Sequence, residues 1–298
     1  MIKQNSSLKV TKGVLSILIF SSLLLFTACG GSSGSSSTSG SASLTGGDST
    51  TPPTNQNHGP TIDTKSFNDS ITGVPNIFQS GDKWKGLEYK TIVSPYTGKI
   101  WLDRNLGASM VCNQSRDDFA SDADYVRNQK DCFGDYYQWG RIADGHEKYS
   151  SDRNDTQATS TSNVGHGKFI YGSNDWANTD SDGSKRSSNW LKTNGDSVCP
   201  RGYKVPTMNE LAAETTGLSV PNKVKNRADA FNNFLKLPSA GIRYLDGSLS
   251  FQGFSGRVWS SSVGMSDDSS KILLFDISNA YWSDYYRADG LSVRCIKD

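Results

Sequence analysis

An excess of either charge is what this sequence most lacks, since 31 Lys and Arg stand against 30 Asp and Glu. With Lys3, Lys9 and Lys12 at the start set aside, 28 basic residues face 30 acidic ones. No cluster of Lys and Arg forms the basic stripe that phosphate binding usually needs, so nucleic acid is not expected as a partner. Histidine is scarce as well, at three residues, His58, His146 and His166. His58 lies in a polar tract, and the other two fall in Gly-rich surroundings that read as surface loops. No Gly-x-Ser-x-Gly elbow stands between a strand and a helix, so a Ser-His-Asp hydrolase is not expected. The absence of any Cys-x-x-Cys pair argues against a zinc site.

A long apolar run occurs once. Residues 14–28 are apolar apart from serines and a threonine, with lysines and no acid before them. That is the layout of a secretory signal, and at about fifteen residues it falls short of the ~20 that a membrane-crossing helix needs. Phe26-Thr27-Ala28-Cys29 sets small residues beside a cysteine as a lipoprotein cleavage site does, with Phe26 where Leu is usual. Removal of residues 1–28 as signal peptide leaves Cys29 to carry diacylglycerol and palmitate, and two or more acyl chains anchor stably where one is marginal. Gly30 and Gly31, with no Asp, favour the outer membrane and a periplasmic or cell-surface setting. Residues 29–66 are mostly Gly, Ser, Thr, Pro and Asn. They bury too little to offset their ordering entropy and read as a flexible tether. Residues 67–298 have the length of one domain.

Beyond Cys29 the cysteines are Cys112, Cys132, Cys199 and Cys295, an even number in a compartment that permits oxidation. Two disulfides are expected. Three pairings are open, of which Cys112 with Cys132 and Cys199 with Cys295 keeps one bridge local and ties the C-terminal strand to the middle of the domain.

The pattern of elements is mixed. Residues 87–93 alternate as a strand, and Pro95-Tyr96-Thr97-Gly98 turns the chain into Ile100-Trp101-Leu102. The aromatics Phe133, Tyr136, Tyr137 and Trp139 are spaced more like one helical face than a strand, which predicts a helix over 133–142. Thr207-Met208-Asn209-Glu210 is a capping box, and a second helix is predicted over 224–235. Strands return at 242–244 and 249–251 around Asp246-Gly247, then at 258–261, 271–277 and 291–296. Helices between paired strands indicate an α+β domain.

Six phrases occur in order over roughly 81–298: Trp101-Leu102-Asp103-Arg104-Asn105-Leu106, Tyr137-Gln138-Trp139-Gly140-Arg141, the stretch 198–207 from Val198-Cys199-Pro200-Arg201-Gly202 to Pro206-Thr207, Leu237-Pro238-Ser239-Ala240-Gly241-Ile242-Arg243, Val258-Trp259-Ser260-Ser261-Ser262, and Gly290-Leu291-Ser292-Val293-Arg294-Cys295. Together they resemble the Fibrobacter succinogenes major paralogous domain. That family is similar to C-type lectin-like domains and to formylglycine-generating enzymes. The resemblance implies a disulfide-stabilised fold with paired N- and C-terminal strands, two or three helices and long loops, on a cell surface. It implies no defined reaction, and the reactive cysteine pair of formylglycine-generating enzymes has no counterpart while every cysteine has a structural role.

Two places carry candidate sites. Asn178, Asp180 and Asp182, followed by Gly183, fit the start of a calcium loop, although the twelfth position is Asn189 instead of Glu. A solvated turn is the stronger expectation there. In Asn279-Ala280-Tyr281-Trp282-Ser283-Asp284-Tyr285-Tyr286-Arg287, an extended chain puts Tyr281 and Tyr285 on one face and Trp282 and Tyr286 on the other. Flat rings among Asp and Arg suit a glycan or a protein surface, so Tyr281, Trp282, Asp284, Tyr285, Tyr286 and Arg287 are the expected ligand contacts. The stretch is also similar to the mutated ligand face of C-type-lectin-like variable proteins of diversity-generating retroelements. The expected function is ligand recognition without catalysis or obligatory cofactor, against a structural envelope protein or an envelope enzyme of the formylglycine-generating fold.

Overall fold

The computed structural model describes residues 77–298. The signal segment, Cys29, the whole tether and residues 67–76 lie outside the described residues. Among those described, no helix is long and apolar enough to cross a membrane.

Two hairpins open the domain: β1 (Lys83–Trp84) pairs with β2 (Leu87–Glu88), and β3 (Thr91–Val93) with β4 (Ile100–Leu102), all antiparallel. α1 (Asp122–Gln129) begins where the Ser121 hydroxyl accepts the Asp124 amide, an N-cap that the sequence pattern had not singled out. The helix expected over 133–142 is not formed, and β5 (Tyr137–Gln138) lies there instead. Gly134 and Gly140 sit at φ 82 and 74, which breaks a helical path. Phe133, Tyr136, Tyr137 and Trp139 are all buried, so their spacing records a core crossing and not one face of a surface helix.

Next, β6 (Arg153–Asn154) and β7 (Phe169–Ile170) pair in parallel, and α2 (Ser184–Trp190) follows in what reads from sequence as a solvated excursion. After β8 (Tyr203–Lys204) comes α3 (Met208–Glu214), capped as its sequence predicts. The Thr207 hydroxyl accepts the Glu210 amide at 3.2 Å, and the Glu210 carboxylate accepts the Thr207 amide at 2.8 Å. α4 (Arg227–Asn232) is shorter than its apolar stripe because Asn226 caps it, but Val224 and Leu235 still bury.

The last third is strands: β9 (Ile242–Arg243), β10 (Leu249–Ser250), β11 (Gly256–Val263), β12 (Ser269–Phe275), β13 (Ala280–Tyr286), β14 (Gly290–Leu291) and β15 (Ile296–Lys297). Three sheets result, ordered β3-β4-β15-β8, β10-β9-β14-β5 and β11-β12-β13, beside the two short pairs. In the first, Ile296 faces Trp101, so the two ends of the domain close on one another. The architecture is α+β, with more sheet than helix. The cysteines lie in pairs at bonding distance, Cys112 with Cys132 and Cys199 with Cys295, their Cα atoms 5.0 and 5.9 Å apart.

β12 is the inner strand of its sheet and is buried on both faces. Ile272 and Leu274 join Trp139, Trp190 and Trp259 in one apolar cluster, while Leu273 and Phe275 join Trp101, Leu211 and Val258 in another. That double burial makes it read as an unbroken apolar run. β13, at the sheet's edge, adds Tyr285 to the first cluster and Ala280 and Trp282 to the second, and leaves the remainder of its surface open.

Candidate functional site

Neither aromatic face of β13 is exposed as a whole. Tyr281 and Tyr286 are 48 % and 43 % exposed, whereas Trp282 and Tyr285 turn inward. The Trp282 ring packs on the cluster around Leu211, and its indole N–H donates to the Thr216 hydroxyl at 3.0 Å. Tyr285 packs on the cluster around Trp259, and its hydroxyl accepts from Arg257 at 3.2 Å. Each face is covered over a different half of the strand. Exposure therefore runs diagonally along β13 and does not follow its alternation.

Arg287 is not a surface contact. It is 1 % exposed, and its guanidinium donates to the carbonyls of Ser181, Asp267 and Ser269, to the Ser270 hydroxyl and to Asp175. It also lies 5.0 Å from the Trp139 ring centroid. A residue just past a strand's end, pointing between two loops, is buried by them, and local sequence does not reveal loops contributed from about 20 and 106 positions away. Burial draws its pKa down. The second cation of this cluster, Arg186, forks onto Asp175 through both terminal nitrogens. Arg287 thus positions the loops beside the end of β13 and meets no ligand itself.

Of the calcium-loop residues, Asn178 and Asp182 are exposed. The Asp180 carboxylate is committed within the protein, accepting the amides of Lys185 and Arg186 and the Arg186 side chain at 3.1 Å. Its negative charge is met by a guanidinium. Asp182 accepts the Ser184 amide at 3.1 Å.

The residues that do converge are Asp284, Tyr285 and Tyr286, at the end of β13. With Tyr244 and Leu245 from the β9–β10 turn and with Asp289, they line a cleft of about 430 Å³. Ser266 and Ser269, where β11 turns into β12, complete its wall. Two local features hold the walls. The Gly247 amide on the Tyr244 carbonyl closes the β9–β10 turn, with Gly247 at φ 79. At Gly264 a Cβ would fall 2.7 Å from Asp284 Oδ1, so only glycine lets the β11–β12 turn approach so closely. A second, polar cleft of about 500 Å³, lined by Asn178, Asp267 and Asp268 among others, shares Ser266 with the first.

Asp289 sets the electrostatics of the aromatic cleft. It is 2 % exposed, and one carboxylate oxygen accepts the Leu245 amide at 2.9 Å. Burial pushes its pKa up to about 7, against the pull of the Leu245 amide and the nearby Arg257. Tyr244 is also drawn upward, by burial first and then by the charges of Tyr285 and Asp289. Asp284 gives one oxygen to Lys271 at 2.9 Å, while its other oxygen is buried with no hydrogen bond among the described residues. Sequence reasoning found Asp284, Tyr285 and Tyr286 but missed Tyr244 and Asp289. An Asp before Gly reads as an ordinary turn, and nothing local shows that the β9–β10 turn will cover it.

His146, read from sequence as a surface residue, is fully buried beside Asp144 and Glu147. These three have the residue types of a metal centre, with donor atoms within 4.8 Å of one another. Both imidazole nitrogens are already engaged: Nδ1 lies 2.7 Å from Asp144, and Nε2 accepts the Gln138 amide at 3.1 Å. Those partners assign the neutral Nδ1–H tautomer and leave no lone pair for a metal. Burial lowers the pKa to about 4 despite Asp144. The cluster fastens a turn.

Comparisons with protein-family models, with curated proteins and with solved structures find no match to this chain.

Proposed function

We propose that this chain is an exported, lipid-anchored protein of the outer membrane whose C-type-lectin-like domain recognises a glycan or protein ligand at the cleft ending β13. The observation that carries the reading is the convergence of Tyr244, Tyr285 and Tyr286 with Asp284 and Asp289 around one concave site. Small recognition sites are concave, largely aromatic or apolar, and bear a few placed polar groups. The β4–β15 pairing of the domain's two ends supports the lectin-like assignment, as does the order of the six phrases that resemble the Fibrobacter domain family. The lipid anchor rests on the sequence around Cys29 and is tested by mass spectrometry of the amino-terminal peptide from membranes. An unmodified terminus refutes it.

Recognition itself is tested by probing glycan arrays and immobilised envelope fractions with the folded domain and with Tyr286→Ala. A signal that depends on Tyr286 is expected. A domain that finds nothing, or one whose binding ignores the substitution, points to a structural envelope protein instead.

A further inference from the structure

The aromatic cleft carries carboxylate acceptors and, apart from hydroxyl groups, no side-chain donors. Its lining contains no Lys, Arg, His, Asn or Gln. The Ser266 hydroxyl is spent on Asp268 and on the Ser269 hydroxyl. Against this stand two carboxylates, each with an oxygen that accepts no hydrogen bond among the described residues: Asp284 Oδ1 and Asp289 Oδ2. Asp289 is more than nine-tenths buried and lines the cleft. Asp284 Oδ1 is buried without a partner, and a ligand suited to these two carboxylates donates to them through N–H or O–H groups or brings positive charge.

The rings point to the same chemistry. Tyrosine faces attract cations through their quadrupole, and aromatic enclosures are a recurring means of holding ammonium groups. Tyr285 already takes one cation, since the Arg257 guanidinium lies 5.4 Å from its centroid. The positive groups nearby are occupied, Arg257 by Tyr285 and Ser255 and Lys271 by Asp284. An anionic ligand would face Asp284 and Asp289 with no free cation to meet it. A neutral sugar could donate its hydroxyls to these carboxylates but would leave their negative charge unmatched.

Resting on the recognition reading, we propose that this cleft is a receptor site for an alkylammonium group, seated against Tyr244, Tyr285 and Tyr286 with its charge on Asp289. At about 430 Å³ the space admits a small organic cation or the charged end of a larger ligand. The same headgroup chemistry is offered by choline, by an amino sugar and by a lysine side chain.

Calorimetric titration of the intact domain with choline, methyl glucosaminide and N-acetyl-lysine methylamide separates these sources. Choline's neutral isostere, 3,3-dimethylbutan-1-ol, is the control. At least one ammonium probe should bind, with the neutral isostere weaker by about tenfold or more, the size of a desolvated cation–π contact joined by a charge. Tyr286→Ala should weaken the bound ammonium probe by about tenfold, Tyr286→Phe should leave it bound, and Asp289→Asn should weaken it while leaving the isostere unchanged. Near-ultraviolet circular dichroism confirms that each variant is folded.

Equal binding of choline and its isostere overturns the inference, as does indifference to Asp289→Asn or failure of every ammonium probe to bind. If an array ligand is lost with Tyr286→Ala while no ammonium probe competes for it, recognition stands and the cation site falls.

Discussion

Asn at position 289 should make the domain more stable at high pH and change little at low pH. The Asp289 carboxyl is held near pKa 7 by burial, against an ordinary value of 3.8. Between those values the folded state keeps a proton that the unfolded chain has released, so stability declines as pH rises through the interval. Three pH units correspond to about 4 kcal/mol in full, of which roughly 2.5 kcal/mol falls between pH 5 and pH 8. Asn has no charge to bury, and its carbonyl oxygen can still accept the Leu245 amide. The measurement is denaturant unfolding of wild type and Asp289→Asn at both pH values. Every other titrating group, His146 included, cancels in the difference between the two proteins. The gap should widen in favour of the variant by roughly 2.5 kcal/mol from pH 5 to pH 8. A gap that stays constant with pH refutes the burial of this carboxyl and with it the electrostatics assigned to the cleft.

Acid should act through His146 with the opposite sign. Its pKa of about 4 lies below the ordinary 6.5, so stability is lost as pH falls from 6.5 toward 4, by about 3 kcal/mol, and His146→Gln should abolish that part of the acid limb in unfolding curves. Arg287→Met removes the guanidinium that ties two loop carbonyls and the first carbonyl of β12 to the end of β13, at a cost of about 3 kcal/mol, read from the denaturation midpoint. An unchanged midpoint would show those contacts to be dispensable. Cys199→Ser with Cys295→Ser opens a loop of 96 residues and should destabilise by close to ~4.7 kcal/mol, against ~3 kcal/mol for the Cys112–Cys132 pair with its separation of 20. Denaturant titration of the two double variants checks the order.

What could be read from the sequence was whatever is decided within a few residues. The Thr207 capping box and the hairpin turns at 95–98 and 246–247 are local hydrogen-bonding problems, and each forms in place. The unbroken apolar run of β12 was legible for the same reason. α1 was missed because its interior, with Asn, Asp and Arg, is mostly polar and buries only Tyr125 and Gln129, too little to show a stripe. The 133–142 segment was misread because four buried aromatics satisfy a helical spacing by coincidence of tertiary contacts. The site divides likewise: three of its residues are neighbours on β13, while Tyr244 reaches them only through the fold, and Arg287 is buried by loops remote in sequence.

The pairing of β12 with β13 separates two kinds of constraint. The inner strand is committed to both apolar clusters, so nearly every one of its side chains answers to packing. The outer strand borrows its backbone register from that neighbour and owes the interior only Ala280, Trp282 and Tyr285. Positions 281 and 286 can therefore exchange one large side chain for another without disturbing what holds the molecule together. A surface so arranged can acquire new specificities while its scaffold stays as it is.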